Sequence, residues 1–127
     1  MGPLILVGIG GFLGSAFRYY LSGVVQATTK SYGFPYGTLV VNILGCFFIG
    51  ALSELAESRG LLSSEARLLL VVGLLGGFTT FSTFTNERLN LIRLGQILPG
   101  LLNVLVSVSL GLFAVWAGRL GAHALWR

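Results

Sequence analysis

The stretch LLLVVGLLGGFTTFSTFTNE, residues 68–87, joins an apolar half to a polar half. The first half has the composition of a helix surrounded by lipid. The second half begins with Gly76 and Gly77 and then places five hydroxyl side chains among three phenylalanines. A glycine pair with β-branched neighbours is a position at which a membrane helix can break and free its backbone carbonyls. The stretch therefore predicts a membrane span that is broken near its middle.

The composition of the whole chain indicates that its main solvent is lipid. Of the 127 residues, 54% are hydrophobic and 9% are charged, and the mean hydropathy is +0.88. A helix needs about 20 mostly apolar residues to cross the hydrocarbon layer, so this length accommodates about four crossings and no soluble catalytic domain. We predict an all-α integral membrane protein in which residues 1–127 form a single four-helix transmembrane domain.

The apolar runs place four spans along the chain. They are predicted at residues 4–25, at residues 37–53, from about Leu68 through the segment NERLNLIRL, and at residues 97–118. The region after Met1 lacks a basic segment and a small-residue cleavage site, so it is interpreted as the first span and not as a removable signal peptide. Cys46 lies inside the second span and, as the one cysteine, forms neither an intrachain disulfide nor a multi-cysteine metal site.

The eight lysines and arginines are divided evenly between the two sides of the membrane. With four spans, one side carries Arg59, Arg67, Arg119 and Arg127, and the other carries Arg18, Lys30, Arg88 and Arg93. This tie gives the positive-inside rule no basis for a single orientation, which predicts dual topology. The alternative is that folding context or one dominant loop fixes one orientation. Because the cations form no patch or stripe, we expect them to flank the spans and expect no nucleic acid as a partner.

The phenylalanines of the opening stretch have a helical spacing. Phe78, Phe81 and Phe84 recur every three residues, so on a helix they form a slanted stripe with hydroxyl side chains alongside it. An anion can approach the positive edge of a phenyl ring while hydroxyl and amide donors replace its water. The stripe predicts an anion path that requires no fixed cation. The alternative is that the rings fill interhelical space and the hydroxyls bond back to the preceding turn.

Three motifs together resemble one known family. They are GGFLGSAFRYYL at residues 10–21, GTLVVNILGCFFIG at residues 37–50 and GLLGGFTTFSTFTNE at residues 73–87. In this order and spacing they resemble the Fluc/CrcB family of fluoride channels, over nearly the whole chain. The resemblance implies a four-helix subunit in the cell membrane, an antiparallel homodimer with two fluoride pores, and a central sodium ion with a structural role. The many glycines in these motifs also predict close packing of helices in lipid.

The resemblance assigns pore roles residue by residue. Asn42 matches the pore asparagine, and Phe81 and Phe84 match the phenylalanines that line the ion path. The remaining pore positions match polar or charged groups along the path, a vestibule arginine and a glutamate near the pore: Thr38, Ser82, Thr83, Ser107, Arg18 and Glu87. Two departures concern the polar track. The motif continues with Thr85 and Asn86, and Asn103 stands where some relatives carry an aromatic residue.

The resemblance also assigns the sodium site to the backbone carbonyls of Gly76 and Thr79. Two carbonyls from each of two copies would make a shell of four oxygens, and hard cations favour oxygen ligands. The C-terminal end of a half-helix adds the negative end of its dipole to such a shell. We therefore expect a monovalent ion that stabilises the dimer without travelling.

Two other classes of protein are less well supported by the residues. A small four-helix proton-coupled exporter of the multidrug type needs a carboxylate deep inside a span, whereas Glu54 and Glu87 lie near span ends. A membrane-embedded enzyme needs a nucleophile, a base or a metal cluster. The only histidine, His123, is predicted to be an interfacial residue beside Trp126, without acid or cysteine companions. We predict a channel that exports fluoride passively from the cytoplasm, and not an enzyme.

Overall fold

The computed structural model describes residues 2–29, 36–58 and 60–125, and every regular element within these ranges is a helix. The elements are α1 (Gly2–Thr29), α2 (Tyr36–Glu57), α3 (Ser64–Arg67), a π-helix (Leu68–Leu75), α4 (Gly76–Phe78), α5 (Ser82–Arg93) and α6 (Ile97–Leu125). The prediction of an all-α membrane protein is confirmed. Lys30, Arg59 and Arg127, which entered the charge count, lie outside the described residues, as does Trp126.

Three of these helices are long and apolar enough to cross a bilayer. They are α1 with 28 residues, α2 with 22 and α6 with 29. At about 1.5 Å of rise per residue each is at least as long as the hydrocarbon layer is thick. All three extend beyond the predicted spans, and α6 continues to Leu125 instead of ending near Gly118. The region between α2 and α6 is divided into shorter helical pieces.

The helix break lies just after the glycine pair that predicted it, two residues beyond Gly77. Gly76 and Gly77 remain helical in α4, and the chain leaves the helix at Thr79, where φ is −95° and ψ is 156°. Regular helix resumes at Ser82. The prediction of a broken third segment is therefore confirmed, but its position at the glycine pair is wrong. Gly77 serves close packing instead, since a Cβ there would lie 2.7 Å from the carbonyl oxygen of Gly11 in α1.

Glycines set the closest helix contacts. A Cβ at Gly10 or Gly14 of α1 would collide with backbone atoms of the π-helix, at Leu69 and Leu74 respectively. Gly50 of α2 and Gly118 of α6 make a similar backbone-to-backbone approach. The chain thus packs as two tight pairs, α1 with the π-helix and α2 with α6. This confirms the prediction that glycines allow close helix packing.

Polar side chains fix two helix ends. The Ser63 side chain accepts a hydrogen bond of 3.0 Å from the Ala66 N–H, which begins α3 at the predicted SSEAR segment. At the ends of α2 and α6, Arg119 lies 3.2 Å from Glu57, and His123 Nδ1 lies 3.4 Å from Glu54 Oε1. The expectation that His123 has no acidic companion is wrong, because the acid comes from another helix.

Candidate functional site

The break between α4 and α5 is held by one side chain from α2. Asn42 Nδ2 donates to the Thr80 carbonyl at 3.2 Å, and the Thr80 N–H donates to Asn42 Oδ1 at 3.0 Å. The amide therefore replaces both hydrogen bonds that the backbone of Thr80 loses outside a helix. Among the residues and side chains that the structure describes, Asn42 Nδ2 has this one acceptor, so its second hydrogen is available to a ligand.

Two of the three motif phenylalanines form a pair just after the break. The rings of Phe81 and Phe84 stack with centroids 6.0 Å apart and planes inclined by 23°. Phe84 is buried, whereas Phe81 is 77% exposed. Phe78 lies apart from them on α4 and packs on Phe17 of α1, at 5.7 Å between centroids. The expected three-ring stripe is therefore wrong, because the extended link after Phe78 interrupts the helical spacing.

An open groove of about 640 Å³ lies between α2, the broken segment and α6. It brings together six of the predicted site residues: Asn42, Gly76, Thr79, Phe81, Phe84 and Ser107. Most of its remaining lining is apolar, with Cys46 and Thr80 as further polar groups. The residues that line it include no acidic, basic or histidine side chain. The groove therefore presents neutral donors and ring edges.

A second cavity, of about 780 Å³, lies on the other side of the break. It is lined by the remaining described site residues, Arg18, Thr38 and Glu87. Arg18 Nε donates to the Gly77 carbonyl at 3.0 Å, so this arginine also anchors the end of α4 to α1. Thr80 lines both cavities, so the non-helical segment between α4 and α5 lies between them. Ser82 and Thr83 lie in the first turn of α5, and their side chains lie outside the described part of the structure.

The carbonyls predicted to hold sodium lie at the end of α4. The Thr80 N–H bonds to Asn42 instead of to the carbonyl of Gly76, which would be its acceptor four residues earlier in a regular helix. Thr79 is extended, so its carbonyl points out of the helical ladder. Both residues line the 640 Å³ groove. Backbone oxygens without helical donors are suitable ligands for a hard cation, so these two residues fit the proposed ion.

The sequence did not reveal a buried polar cluster formed by α5 and α6. Arg88, expected to flank a span, is 2% exposed. Its Nε donates to Asn103 Oδ1 at 2.5 Å, and its Cζ lies 4.1 Å from the centroid of the Phe84 ring. Ser107 Oγ donates to the same Asn103 oxygen at 3.3 Å. A fixed cation therefore lies beside the candidate pore residues Phe84 and Ser107, although the sequence argument for an anion path required none.

One sequence signal points toward this cluster. Arg88 follows Phe84 by four residues, and Ser107 follows Asn103 by four, so each pair shares one helix face. This spacing places the Arg88 cation one turn from a candidate pore ring. The two faces meet because α5 packs against α6. The spacing alone does not predict this packing.

Comparison with known proteins finds similar sequences over most of the chain. Residues 5–119 match the model of a family described as CrcB-like protein, Camphor Resistance (CrcB). A Methanosarcina acetivorans protein named fluoride-specific ion channel FluC 1 is 46% identical over 122 residues, which cover 96% of this chain and 92% of that protein. The fluoride-specific ion channel FluC of Geobacter sulfurreducens is 44% identical over 125 residues, covering 98% and 100%. The protein of that name from Elusimicrobium minutum is 48% identical over 113 residues, covering 89% and 87%.

Proposed function

The chain belongs to the CrcB-like family, and from this premise we propose that it is a channel through which fluoride leaves the cytoplasm passively. Its relatives are named as fluoride-specific ion channels. Because this is a family of ion channels, the chain is not an enzyme, as predicted. It is a multi-pass protein of the cell membrane.

The observation that carries the proposal is the 640 Å³ groove with its exposed ring. Fluoride is small and strongly hydrated, so a path through lipid must replace its water with donors. The second Nδ2 hydrogen of Asn42 and the edges of the Phe81 and Phe84 rings supply positive groups along one wall. These groups are neutral, which lets the ion leave as readily as it enters.

The same groove supports passive flow over the proton-coupled alternative. Coupling to protons requires a group that titrates within the path. Within the described ranges, the residues that line the groove include no carboxylate or histidine, and Glu87 lines the other cavity. The exporter is therefore not favoured.

In the proposed assembly each subunit crosses the membrane four times, and two subunits pair in opposite orientations. The third crossing consists of α3, the π-helix, α4 and α5. A second copy would cover the open side of the groove, where Phe81 is 77% exposed. Each dimer would then contain two fluoride pores. Without the buried Arg88, the lysines and arginines divide four to three between the two sides, and this near-even division supports insertion in both orientations.

The orientation can be tested by charge. Two or three lysines added around Gly60 should bias every copy to one orientation and abolish flux when that variant is expressed alone. Mixing with an oppositely biased variant should restore flux. Normal conduction by the biased variant alone would exclude the antiparallel dimer.

A sodium ion is proposed to bind the carbonyls of Gly76 and Thr79 from both copies. Such an ion would supply a positive charge that holds four backbone oxygens together at the centre of the dimer. The neighbouring carbonyl of Gly77 is already occupied by Arg18 Nε. Gly76 and Thr79 both line the groove, and the Gly76 carbonyl does not receive the Thr80 N–H that a regular helix would give it.

Flux from liposomes tests the function directly. Purified protein in liposomes loaded with potassium fluoride should release fluoride when valinomycin sets the voltage, and an electrode records the release. Chloride-loaded liposomes are the control and should release little. Proton-coupled fluoride movement against the voltage-set gradient would overturn the proposal in favour of a transporter.

A further inference from the structure

The cluster of Arg88 and Asn103 contains more buried donors than acceptors. Arg88 is 2% exposed and Asn103 is 3% exposed. Arg88 Nη2 and Asn103 Nδ2 have no hydrogen-bond partner within the part of the chain that the structure describes. Buried polar groups are ordinarily paired, so two unpaired donor atoms in one cluster indicate a bound acceptor, either a ligand or a water molecule.

The contacts of the cluster determine which atoms remain free. Asn103 Oδ1 accepts from Arg88 Nε at 2.5 Å and from Ser107 Oγ at 3.3 Å, which fixes the amide with its nitrogen unused. Arg88 Nη1 donates to the Phe84 carbonyl at 3.3 Å and to Glu87 Oε1 at 3.2 Å. Each of the two remaining nitrogens, Nη2 and Nδ2, carries two hydrogens. The cluster therefore offers four N–H donors and needs an acceptor.

We propose that Arg88 Nη2 and Asn103 Nδ2 form a binding subsite for a small anion, which is fluoride if the chain conducts fluoride as proposed above. A guanidinium is always charged and has no acceptor, so an anion matches it better than a cation or a neutral donor. Glu87 pairs with the opposite nitrogen, Nη1, and is partly exposed, so it leaves Nη2 available.

The position of the subsite connects it to the groove. The Arg88 guanidinium lies against the Phe84 ring, and Asn103 bonds to Ser107, while Phe84 and Ser107 both line the 640 Å³ groove. Arg88 and Asn103 line neither of the two cavities. The subsite therefore lies one residue behind the groove wall. An anion held there would make flux saturate at a low concentration.

The test is the fluoride concentration that gives half-maximal flux. Arg88→Met removes the charge and should raise that concentration about tenfold, which is the effect of losing a hydrogen bond to a charged group. Arg88→Lys keeps the charge without the planar fork and should recover part of the shift. The matched control is Arg93→Met, since Arg93 is an exposed arginine on the same helix. It should leave the half-maximal concentration unchanged.

A second variant separates binding from folding. Asn103→Asp keeps an oxygen for Arg88 Nε and Ser107 Oγ but replaces the free Nδ2 donors with a negative oxygen. It should therefore fold, and its half-maximal concentration should rise at least as much as in Arg88→Met. If Arg88→Met does not fold, Asn103→Asp decides the question.

Direct binding distinguishes an anion from water. Fluorine NMR of the purified protein in sodium fluoride should show a bound fluoride signal that Asn103→Asp loses and Arg93→Met retains. Unchanged half-maximal concentration and an unchanged signal in folded Asn103→Asp would overturn the subsite and leave a buried water. Absence of fluoride flux from the unaltered protein would instead overturn the proposed function, so the two failures are distinguishable.

Discussion

The broken segment has two halves that are held in different ways. Before the break, the π-helix and α4 pack backbone to backbone against α1, through glycines such as Gly14 and Gly77. After the break, α5 is joined to α6 by polar side chains, above all Arg88 and Asn103. The first half has no room for a Cβ at Gly73 or Gly77, whereas the second half depends on particular donors and acceptors. We infer that the first half is scaffold and that the chemistry of conduction lies at the break and beyond it.

The largest effect should come from the scaffold half. Gly14→Val would place methyl groups into the backbone at Leu74, and because backbone cannot move aside as a side chain can, the cost should reach about 3 kcal/mol or more. We expect loss of folded protein, measured by gel filtration. Gly8→Val is the matched control on the same helix, since a Cβ at Gly8 meets nothing within 4 Å. Equal yields of the two variants would remove the distinction between the halves.

The next effect should occur at the break itself. Asn42→Asp keeps the acceptor for the Thr80 N–H but places a negative oxygen against the Thr80 carbonyl and removes the donor offered to the anion. Fluoride flux should fall about a hundredfold, while gel filtration still shows folded protein. Fluoride flux equal to that of the unaltered protein would show that Asn42 has only a structural role.

A smaller effect is expected from the exposed ring in the groove. Phe81→Ile removes a ring edge while roughly keeping bulk, and flux should fall about three- to tenfold. Phe12→Ile on α1 is the matched control, because Phe12 is similarly exposed, at 73%, and lines neither cavity. Similar flux in both variants would indicate that Phe81 only fills space.

The smallest and slowest effect should follow removal of sodium. Replacing it with a much larger organic cation for hours should lower flux severalfold and weaken the dimer, since the carbonyls of Gly76 and Thr79 would lose their proposed partner. Flux that follows the sodium gradient at once would make the ion a coupled substrate. Unchanged flux and dimer stability would mean that these carbonyls hold no ion.

The features predicted correctly from the sequence are those that depend on neighbours along the chain. Mean hydropathy gave the class, the SSEAR segment gave the start of α3, and glycine spacing gave the close contacts. The position of the break could not be predicted, because it depends on Asn42, which lies 38 residues before Thr80 and is brought to it by the packing of α2.

The buried cation was missed for the same reason. A count of charges treats Arg88 as a residue at the membrane surface, and the acceptor that permits its burial, Asn103, lies 15 residues away on another helix. The sequence placed most of the candidate pore residues in one motif. It did not show that they divide between two cavities, since Arg18, Thr38 and Glu87 come to the second cavity from three different helices.

The backbone contact between α1 and α4 has a mechanical consequence. Where peptide groups touch directly, the distance between two helices is set by main-chain atoms and does not vary with side-chain rotamers. Arg18 adds a bond from α1 to the last turn of α4, so these two helices tilt together as one stiff body. A bilayer that thickens or thins makes helices tilt. Because α5 is joined to α6 through side chains, its tilt can differ from that of α1 and α4. We therefore expect a difference in tilt to be taken up at Thr79, Thr80 and Phe81, against the two hydrogen bonds from Asn42, and flux measured across lipids of increasing chain length tests this expectation.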